Sequence, residues 1–333
     1  MFQKIALFFF AVVFISPPSP AHAATSIATA QNKVDQLRTL AAEKYEAANE
    51  MKFRITQLQG EEARLKENGN LTKIKRDEAK NALAKMAIER YKGNGLGQGF
   101  ALLFSDNPTR YLSDSSTMEM IGRKYATTVR TFETYEQRLK ASRLVVADKT
   151  FQVREQQRRL NSEVRSANFA LSEAEKILAS LKSGDRARLL KAESAREQQI
   201  LENSKKVARN FVPDSSRGAI SLQFALEQIG DIYLWGGAGP TRWDCSGLTL
   251  RAFAKAGVSL PHSAAIQFNY GKSVSYKSLK PGDLVFYGKP ISHVAIYIGG
   301  GKMVQAPRAG KKVEVVNFTL RFGYKPFMGA KRL

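Results

Sequence analysis

The sequence predicts an α+β protein in which a long all-α coiled-coil domain precedes helices packed on an antiparallel sheet. Residues from about 27 to 209 are highly charged, and Pro108 is their only proline, as expected of long helices. After residue 217, glycine and proline become frequent and apolar residues alternate or form short runs, a pattern typical of strands. This change divides the 333-residue chain into two regions joined by a linker at 204–217.

The first 23 residues have the three parts of a secretory signal peptide. Lys4 supplies the positive charge, Ile5 to Ile15 form an apolar core, and Ala21-His22-Ala23 provides a cleavage motif. A membrane anchor is the alternative, but this core is far shorter than the roughly 20 apolar residues that cross a bilayer. We therefore expect a secreted, extracellular protein associated with the cell wall.

The charge of the chain indicates an acidic partner. It has 52 Lys and Arg against 30 Asp and Glu, a formal net charge of +22. Such a balance favours nucleic acid, an anionic membrane surface or an anionic polymer. Export argues against nucleic acid and favours teichoic acids, anionic lipid or the carboxylates of the wall.

Apolar residues at heptad spacing predict a coiled coil over residues 24–203. One seam runs from Val34 to Leu65, and Asn68-Gly69-Asn70 is expected to end that helix before a second, shorter helix continues to Tyr91. A longer seam steps by seven from Met118 to Leu181. Because its companion positions are largely polar, this narrow stripe favours antiparallel packing on the first helix, or a partner, over a freestanding dimer.

Between these helices, residues 92–117 form a predicted hinge and tip. Gly93, Gly95, Gly97 and Gly99 stop the helix, and the short apolar run Phe100-Ala101-Leu102-Leu103-Phe104 follows. An exposed apolar cluster of this kind often binds a partner. Packing of the run back onto the two helices is an equally good interpretation.

Cys245 is the only cysteine, so it cannot form an intramolecular disulfide. It is either a small buried hydrophobic residue or a nucleophile. It stands just before the amphipathic segment Leu248 to Ala256, which places it in the first turn of a predicted helix. Free backbone N–H groups and the helix dipole at that position favour the thiolate, and hence the nucleophile.

A cysteine nucleophile also needs a base, and His293 is the best candidate. It opens a predicted strand that is followed by Gly299-Gly300-Gly301 and a returning antiparallel strand. Gln305 then lies opposite or diagonal to His293, where its amide oxygen can accept the ring N–H and fix the tautomer. His262, in a predicted loop beside Ser263, is the alternative base or a residue lining the cleft.

The sequence predicts no metal site and no cofactor. Three histidines, one of them removed with the signal peptide, and a single cysteine provide no cluster of ligands. Asp283 could be a ligand or an acid, but its position in Pro281-Gly282-Asp283 is typical of a turn residue.

Residues 218–333 resemble the NlpC-type cell-wall peptidases, which are papain-like cysteine endopeptidases of bacterial peptidoglycan. The resemblance is carried by the following segments in order: Tyr233 with Trp235-Gly236-Gly237, Asp244-Cys245-Ser246-Gly247-Leu248, Leu260-Pro261, Pro281-Gly282-Asp283-Leu284-Val285-Phe286 and His293-Val294-Ala295-Ile296-Tyr297-Ile298-Gly299. It implies a papain-like fold and three catalytic residues, Cys245, His293 and Gln305. It also implies substrate contacts or lining residues, which are Tyr233, Trp235, Asp244, Ser246, His262 and Ser263.

Two positions depart from the family pattern. The third catalytic position is often His and is Gln305 here, which stabilises an imidazolium less. His262 stands where many members have Arg, which affects how the substrate is recognised.

The resemblance implies cleavage of peptidoglycan stem peptides between D-glutamate and the diamino acid. The N-terminal arm also resembles that of division hydrolases that dock on the membrane complex FtsE–FtsX and are held inactive until docking. Phe100, Leu103 and Phe104 at the tip are the docking candidates, and daughter-cell separation is the expected role. The alternatives are a catalytically silent wall-binding scaffold that activates another hydrolase and an acyltransferase on the same fold.

Overall fold

The computed structural model describes residues 20–92 and 108–333, with side chains for 27–92 and 119–333. Most of the predicted signal peptide and the tip residues Phe100, Leu103 and Phe104 lie outside these ranges. The chain forms two compact units, one comprising residues up to Glu50 together with Asn161–Leu333 and the other Met51–Leu160.

The described part of the N-terminal region forms three long helices: α1, Pro20–Lys92; α2, Pro108–Ser180; and α3, Ser183–Arg209. The prediction that a helix ends at Asn68-Gly69-Asn70 is wrong, because α1 continues through this segment. A Cβ atom on Gly69 would lie 2.9 Å from Ser142 Oγ of α2. Gly69 therefore lies within α1 facing Ser142 of α2, and it does not terminate a helix.

In the unit Met51–Leu160, α1 and α2 pack in opposite chain directions. Lys149 Nζ lies 2.8 Å from Glu61, whereas Arg76, later in α1, pairs with Glu136, earlier in α2, at 3.2 Å. Several residues of the two predicted heptad seams are buried, among them Ile55, Leu139 and Leu160. These positions of the predicted stripes therefore face the helix contact, whereas Tyr125 of the second seam is exposed.

The C-terminal region contains short helices and nine strands. The helices are α4, Arg217–Glu227; α5, Cys245–Lys255; α6, Ala264–Gln267; and a 3-10 turn at Tyr276–Ser278. The strands are β1, Ile232–Tyr233; β2, Arg242–Trp243; β3, Lys272–Val274; β4, Leu284–Tyr287; β5, His293–Gly299; β6, Lys302–Gln305; β7, Glu314–Asn317; β8, Arg321–Phe322; and β9, Lys325–Arg332.

The main sheet is antiparallel, with strand order β3-β9-β4-β5-β6-β7 and β8 paired to β9. Strand β4 is buried at all four positions, as expected of a central strand covered on both faces. Helices α4 and α5 pack on the sheet through a shared core that includes Leu222, Phe253, Phe286 and Ile296. The predicted α+β class, with helices on an antiparallel sheet after a long helical region, is confirmed.

The edge strand β7 is covered by α3. Ser204 Oγ accepts a hydrogen bond from the Val315 backbone N–H at 2.8 Å, which satisfies a group that an open edge would leave unpaired. Ala208 and Phe211 extend the same core. Residues before 218 therefore take part in packing this sheet, and the domain limits given above stay predictions.

Within residues 20–92 and 108–333, no helix combines the length and the apolar character needed to cross a membrane.

Candidate active site

Helix α5 begins at the only cysteine because Asp244 caps it. Asp244 Oδ1 accepts a hydrogen bond from the Gly247 N–H at 2.7 Å, the contact expected of an N-cap aspartate. This places Cys245 in the first helical turn, as predicted, with 2% of the residue exposed.

His293 opens strand β5 and is also buried. Its Nε2 lies 2.7 Å from Gln305 Oε1 on β6, diagonally across the hairpin. Gln305 Nε2 in turn donates to Glu314 Oε1 at 3.2 Å, which fixes the orientation of the amide. With the amide oxygen facing the ring, the N–H resides on Nε2, and Nδ1 is left as the basic nitrogen.

The cysteine and histidine elements meet where α5 and β5 begin. The Val294 backbone N–H donates to the Cys245 thiol, so the sulfur lies beside the residue that follows His293. Phe322 stacks on the imidazole with the ring centroids 5.3 Å apart and the planes inclined by 11°. A buried thiol and an oriented, neutral imidazole therefore share one site.

Asp244 also organises the glycine-rich turn before α5. Its Oδ2 accepts from the Gly236 N–H at 2.7 Å, and His262 Nε2 lies 2.7 Å from its Oδ1. A Cβ atom on Gly247 would come within 2.1 Å of the Gly237 carbonyl oxygen, so only glycine fits here. The carboxylate thus holds the turn, the helix start and the imidazole of His262 together.

The other residues expected to contact substrate surround the thiol. Tyr233 and Ser246 are buried within the same core, and Ser263 caps α6 by accepting from the Ile266 N–H at 3.4 Å. Trp235 is half-buried at the edge of the site. The structure collects these residues in one place, and their roles in catalysis and binding stay predictions.

Sequence reasoning missed Glu46, a buried residue of α1 whose carboxylate lies against the thiol. Cys245 Sγ donates to Glu46 Oε1 at 3.4 Å, and Ser246 Oγ donates to the same oxygen at 2.7 Å. Glu46 Oε2 accepts from the Ala264 N–H at 2.9 Å. A side chain of the N-terminal helix therefore occupies the space in front of the nucleophile candidate.

Asn49 and Tyr45 flank Glu46 on the same face of α1. Asn49 Nδ2 donates to Glu46 Oε1 at 3.1 Å and to Asp244 Oδ2 at 3.0 Å, so one amide bridges two carboxylates. The Tyr45 ring stacks on Trp235 at 4.4 Å, and the Trp235 indole N–H donates to the Tyr45 carbonyl at 2.9 Å. Tyr45 and Asn49 therefore extend the region of α1 that covers the cleft on both sides of Glu46.

Ion pairs hold the same helix on either side. Arg308 pairs with Asp35 of α1, and Glu193 of α3 lies between Arg38 of α1, at 3.2 Å, and Lys311, at 2.7 Å. The segment of α1 from Asp35 to Asn49 is therefore fixed along its length within one compact unit.

The electrostatics of the site disfavour a thiolate in this conformation. Burial raises the pKa of the Cys245 thiol well above its usual value, and the carboxylates of Glu46 and Asp244 raise it further. The pKa of Glu46 is itself raised, first by burial and then by Asp244. The expectation that the helix start favours a thiolate is overridden here because α1 excludes water and adds negative charge.

His293 is held neutral by its surroundings. Burial, followed by the positive charge of Lys325, lowers its pKa to about 3, against the opposing effect of Gln305. A neutral imidazole is the state that can accept a proton from a thiol. No group of His, Cys, Asp and Glu able to hold a metal ion occurs in the described part of the chain.

Comparison with known proteins places this site in a family. Residues 230–332 match the profile of the NlpC/P60 family. The chain contains an NlpC/P60 domain. Over 95 residues it is 47% identical to a probable endopeptidase p60 of Listeria monocytogenes, which covers 28% of this chain and 20% of that protein. Over 108 residues it is 42% identical to the peptidoglycan endopeptidase RipA of Mycobacterium tuberculosis, which covers 28% of this chain and 23% of that protein.

Solved structures of the same family resemble the NlpC/P60 domain over a similar length. A mutated form of RipA is 33% identical with a TM-score of 0.31, covering 35% of this chain and 63% of that chain. An NLP/P60 family protein of Staphylococcus aureus is 32% identical with a TM-score of 0.32, covering 36% and 42% respectively. The chain spans only about a fifth of the curated relatives named above, so the match describes the NlpC/P60 domain alone.

One feature of the sequence could have indicated that a segment of α1 lies over the NlpC/P60 domain. Asp35, Arg38, Tyr45, Glu46 and Asn49 are polar and share one face of α1 beside the apolar seam. A polar face of a long helix is ordinarily solvated, so only the fold could show that this one is buried.

We predict that the full-length chain reacts slowly with iodoacetamide and that Glu46→Ala accelerates the reaction. The thiol of the wild-type protein is buried and has a raised pKa, so alkylation between pH 7 and 8 should be at least about ten-fold slower than in the variant. Removing a neighbouring negative charge lowers the pKa of the thiol. The pH profile of Glu46→Ala should therefore rise at lower pH.

Glu67→Ala is the matched control, since Glu67 is an exposed glutamate of the same helix. It should leave the wild-type alkylation profile unchanged. Equal rates and equal pH profiles for wild type and Glu46→Ala would show that Glu46 does not control the thiol.

Proposed function

We propose that the protein is a secreted peptidoglycan endopeptidase that uses Cys245 as nucleophile and His293 as base. Its substrate would be a wall stem peptide, cut at the D-glutamyl–diamino acid bond. The observation that carries this proposal is the pairing of His293 with Gln305 beside the helix start that holds the only cysteine. The likeness of residues 230–332 to named endopeptidases supports it.

The geometry suits a two-step acyl transfer. Nδ1 of His293 takes the proton from the Cys245 thiol, and the sulfur attacks the carbonyl carbon of the scissile amide. The resulting imidazolium donates its proton to the leaving nitrogen as the C–N bond breaks, which leaves a thioester. Water, deprotonated by the same imidazole, then hydrolyses the thioester and restores the thiol.

Gln305 and the start of α5 assist these steps. The Gln305 oxygen accepts the Nε2–H and keeps the reactive lone pair on Nδ1. The backbone N–H of Cys245 belongs to the first helical turn, where N–H groups have no partner within the helix and can stabilise an oxyanion. The neutral amide of Gln305 stabilises the imidazolium less than a carboxylate would, which favours return to the thiol and the neutral imidazole.

The proposal includes regulation by the N-terminal helix. Glu46 accepts a hydrogen bond from the thiol, which directs the S–H away from His293, and the Glu46 carboxylate fills the cleft that a stem peptide would enter. The conformation described here would therefore be inactive. Displacement of the segment from Asp35 to Asn49 would both open the cleft and lower the pKa of the thiol.

The wider role rests on the sequence. The signal-like N-terminus and the net charge of +22 support secretion to an anionic cell wall. A coiled-coil arm, docking on FtsE–FtsX through Phe100, Leu103 and Phe104, and action in daughter-cell separation rest only on the resemblance of the arm to division hydrolases.

Hydrolysis is tested with purified peptidoglycan and the tripeptide L-Ala-γ-D-Glu-meso-diaminopimelate. Glu46→Ala, in which the closing carboxylate is removed, should release new amino ends, and adding Cys245→Ala should reduce this release at least about a thousand-fold, since it removes the nucleophile. Equal release by the two proteins would contradict cysteine catalysis. No release even by Glu46→Ala would instead favour the silent scaffold.

Regulation by α1 predicts activation by a substitution outside the NlpC/P60 domain. Glu46→Ala combined with Asn49→Ala removes the carboxylate at the thiol and the amide that anchors it to Asp244. We expect kcat/KM on the tripeptide to rise at least about ten-fold, because loss of each buried charged hydrogen bond weakens the closed state. Glu67→Ala should have no effect, and an unchanged or lower kcat/KM in the double variant would contradict regulation by α1.

A further inference from the structure

A second carboxylate of α1 marks another position in the same cleft. Glu43 lies one turn before Glu46 and contacts the hairpin formed by β8 and β9. Its Oε1 is 3.5 Å from Lys325 Nζ, and it accepts a hydrogen bond from the Tyr324 hydroxyl. Two donors from adjacent residues thus hold one carboxylate.

Lys325 is unusual because its side chain is only 4% exposed. Lysine is rarely buried to this degree unless it is paired, since an ammonium loses its hydration there. Besides Glu43, its Nζ contacts the Ser292 carbonyl oxygen at 3.4 Å. Burial lowers the pKa of Lys325, and Glu43 is the largest influence that raises it. The ammonium therefore depends on a carboxylate supplied by another segment.

The position of Lys325 identifies the part of a substrate that it would meet. Ser292 directly precedes His293, and Phe322, opposite Lys325 in the hairpin, stacks on the imidazole. His293 must donate its proton to the leaving nitrogen, so the residue released as the amine lies on the imidazole side of the thiol. Glu46, by contrast, contacts Ser246 and the Ala264 N–H at the starts of α5 and α6, where Ser246 also donates to Asp244.

We propose that Tyr324 and Lys325 form a carboxylate-binding subsite for the residue released as the amine, and that Glu43 occupies it while α1 is docked. This inference rests on the proposed function and specifies its substrate. A substrate that displaces α1 removes Glu43, the partner of the buried Lys325 ammonium. A substrate that supplies its own carboxylate at this position is therefore favoured. The subsite therefore selects a diamino acid with a carboxylate on its side chain, of the diaminopimelate type, over lysine.

Three matched tetrapeptides test this selectivity. Each has the sequence L-Ala-γ-D-Glu-X-D-Ala, where X is meso-diaminopimelate, the same residue amidated on its side-chain carboxylate, or L-lysine. Because D-Ala is common to all three, they differ only at the group that would reach Lys325. The full-length protein, both wild type and Glu46→Ala, should show a kcat/KM at least about ten-fold higher for the first peptide than for the other two.

Substitutions at the subsite then assign the selectivity. Lys325→Met keeps the apolar length of the side chain without its charge and should abolish the preference, measured as the ratio of kcat/KM between the diaminopimelate and lysine peptides within that variant. Lys325→Arg should retain the preference, and Tyr324→Phe should weaken it. The thermal midpoint of each variant checks that it is folded.

The outcomes separate the subsite from the proposed function. Cleavage of all three peptides with equal kcat/KM by the wild-type protein would overturn the subsite and leave the endopeptidase intact. Persistence of the preference in folded Lys325→Met would also overturn it. Cleavage of none of the peptides, even by Glu46→Ala, would contradict the proposed function and the subsite together.

Discussion

The carboxylate of Glu46, buried against Cys245, Ser246 and the Ala264 N–H, is the interaction on which the state of the whole site depends. It accepts a hydrogen bond from the thiol, opposes negative charge on the sulfur and fills the space in front of it. A buried carboxylate is tolerated only when its oxygens are hydrogen-bonded, and here four donors satisfy it, the fourth being Asn49. Loss of this carboxylate would change access to the thiol and its pKa together.

The contacts of Glu46 and Glu43 also connect regulation with recognition. Under the proposed function, each glutamate binds donors that a peptide in the cleft would need, so the helix and a substrate exclude one another. Under the proposed function, α1 is an internal competitor whose two carboxylates, one helical turn apart, contact Ser246 and Lys325. Binding energy from an acidic stem peptide, or from a partner of the arm, would displace it.

Much of the architecture could be predicted from the sequence because local rules determine it. The helix start at Cys245, the strand beginning at His293 and the glycine turn before Lys302 each follow from residue type and spacing, and together they bring Cys245 and Gln305 to one site. The helix end predicted at Gly69 was wrong because α1 continues through this residue, which faces Ser142 of α2.

The cover over the site could not be predicted, because it depends on contacts between residues about 200 positions apart, such as Glu46 and Ser246. Glu43, Glu46 and Asn49 resemble ordinary solvated positions of a long helix. Lys325 resembles a surface lysine near the C-terminus until the fold shows that it is buried. Burial of polar groups by a distant segment leaves no periodic pattern in either segment.

The most direct test of this account is the affinity of the cleft for L-Ala-γ-D-Glu-meso-diaminopimelate when hydrolysis is prevented. Calorimetry would compare the full-length Cys245→Ala protein with the same protein carrying Glu46→Ala as well. If α1 and the peptide compete for the cleft, the second protein should bind at least about ten-fold more tightly. Equal dissociation constants for the two proteins would show that Glu46 does not close the site.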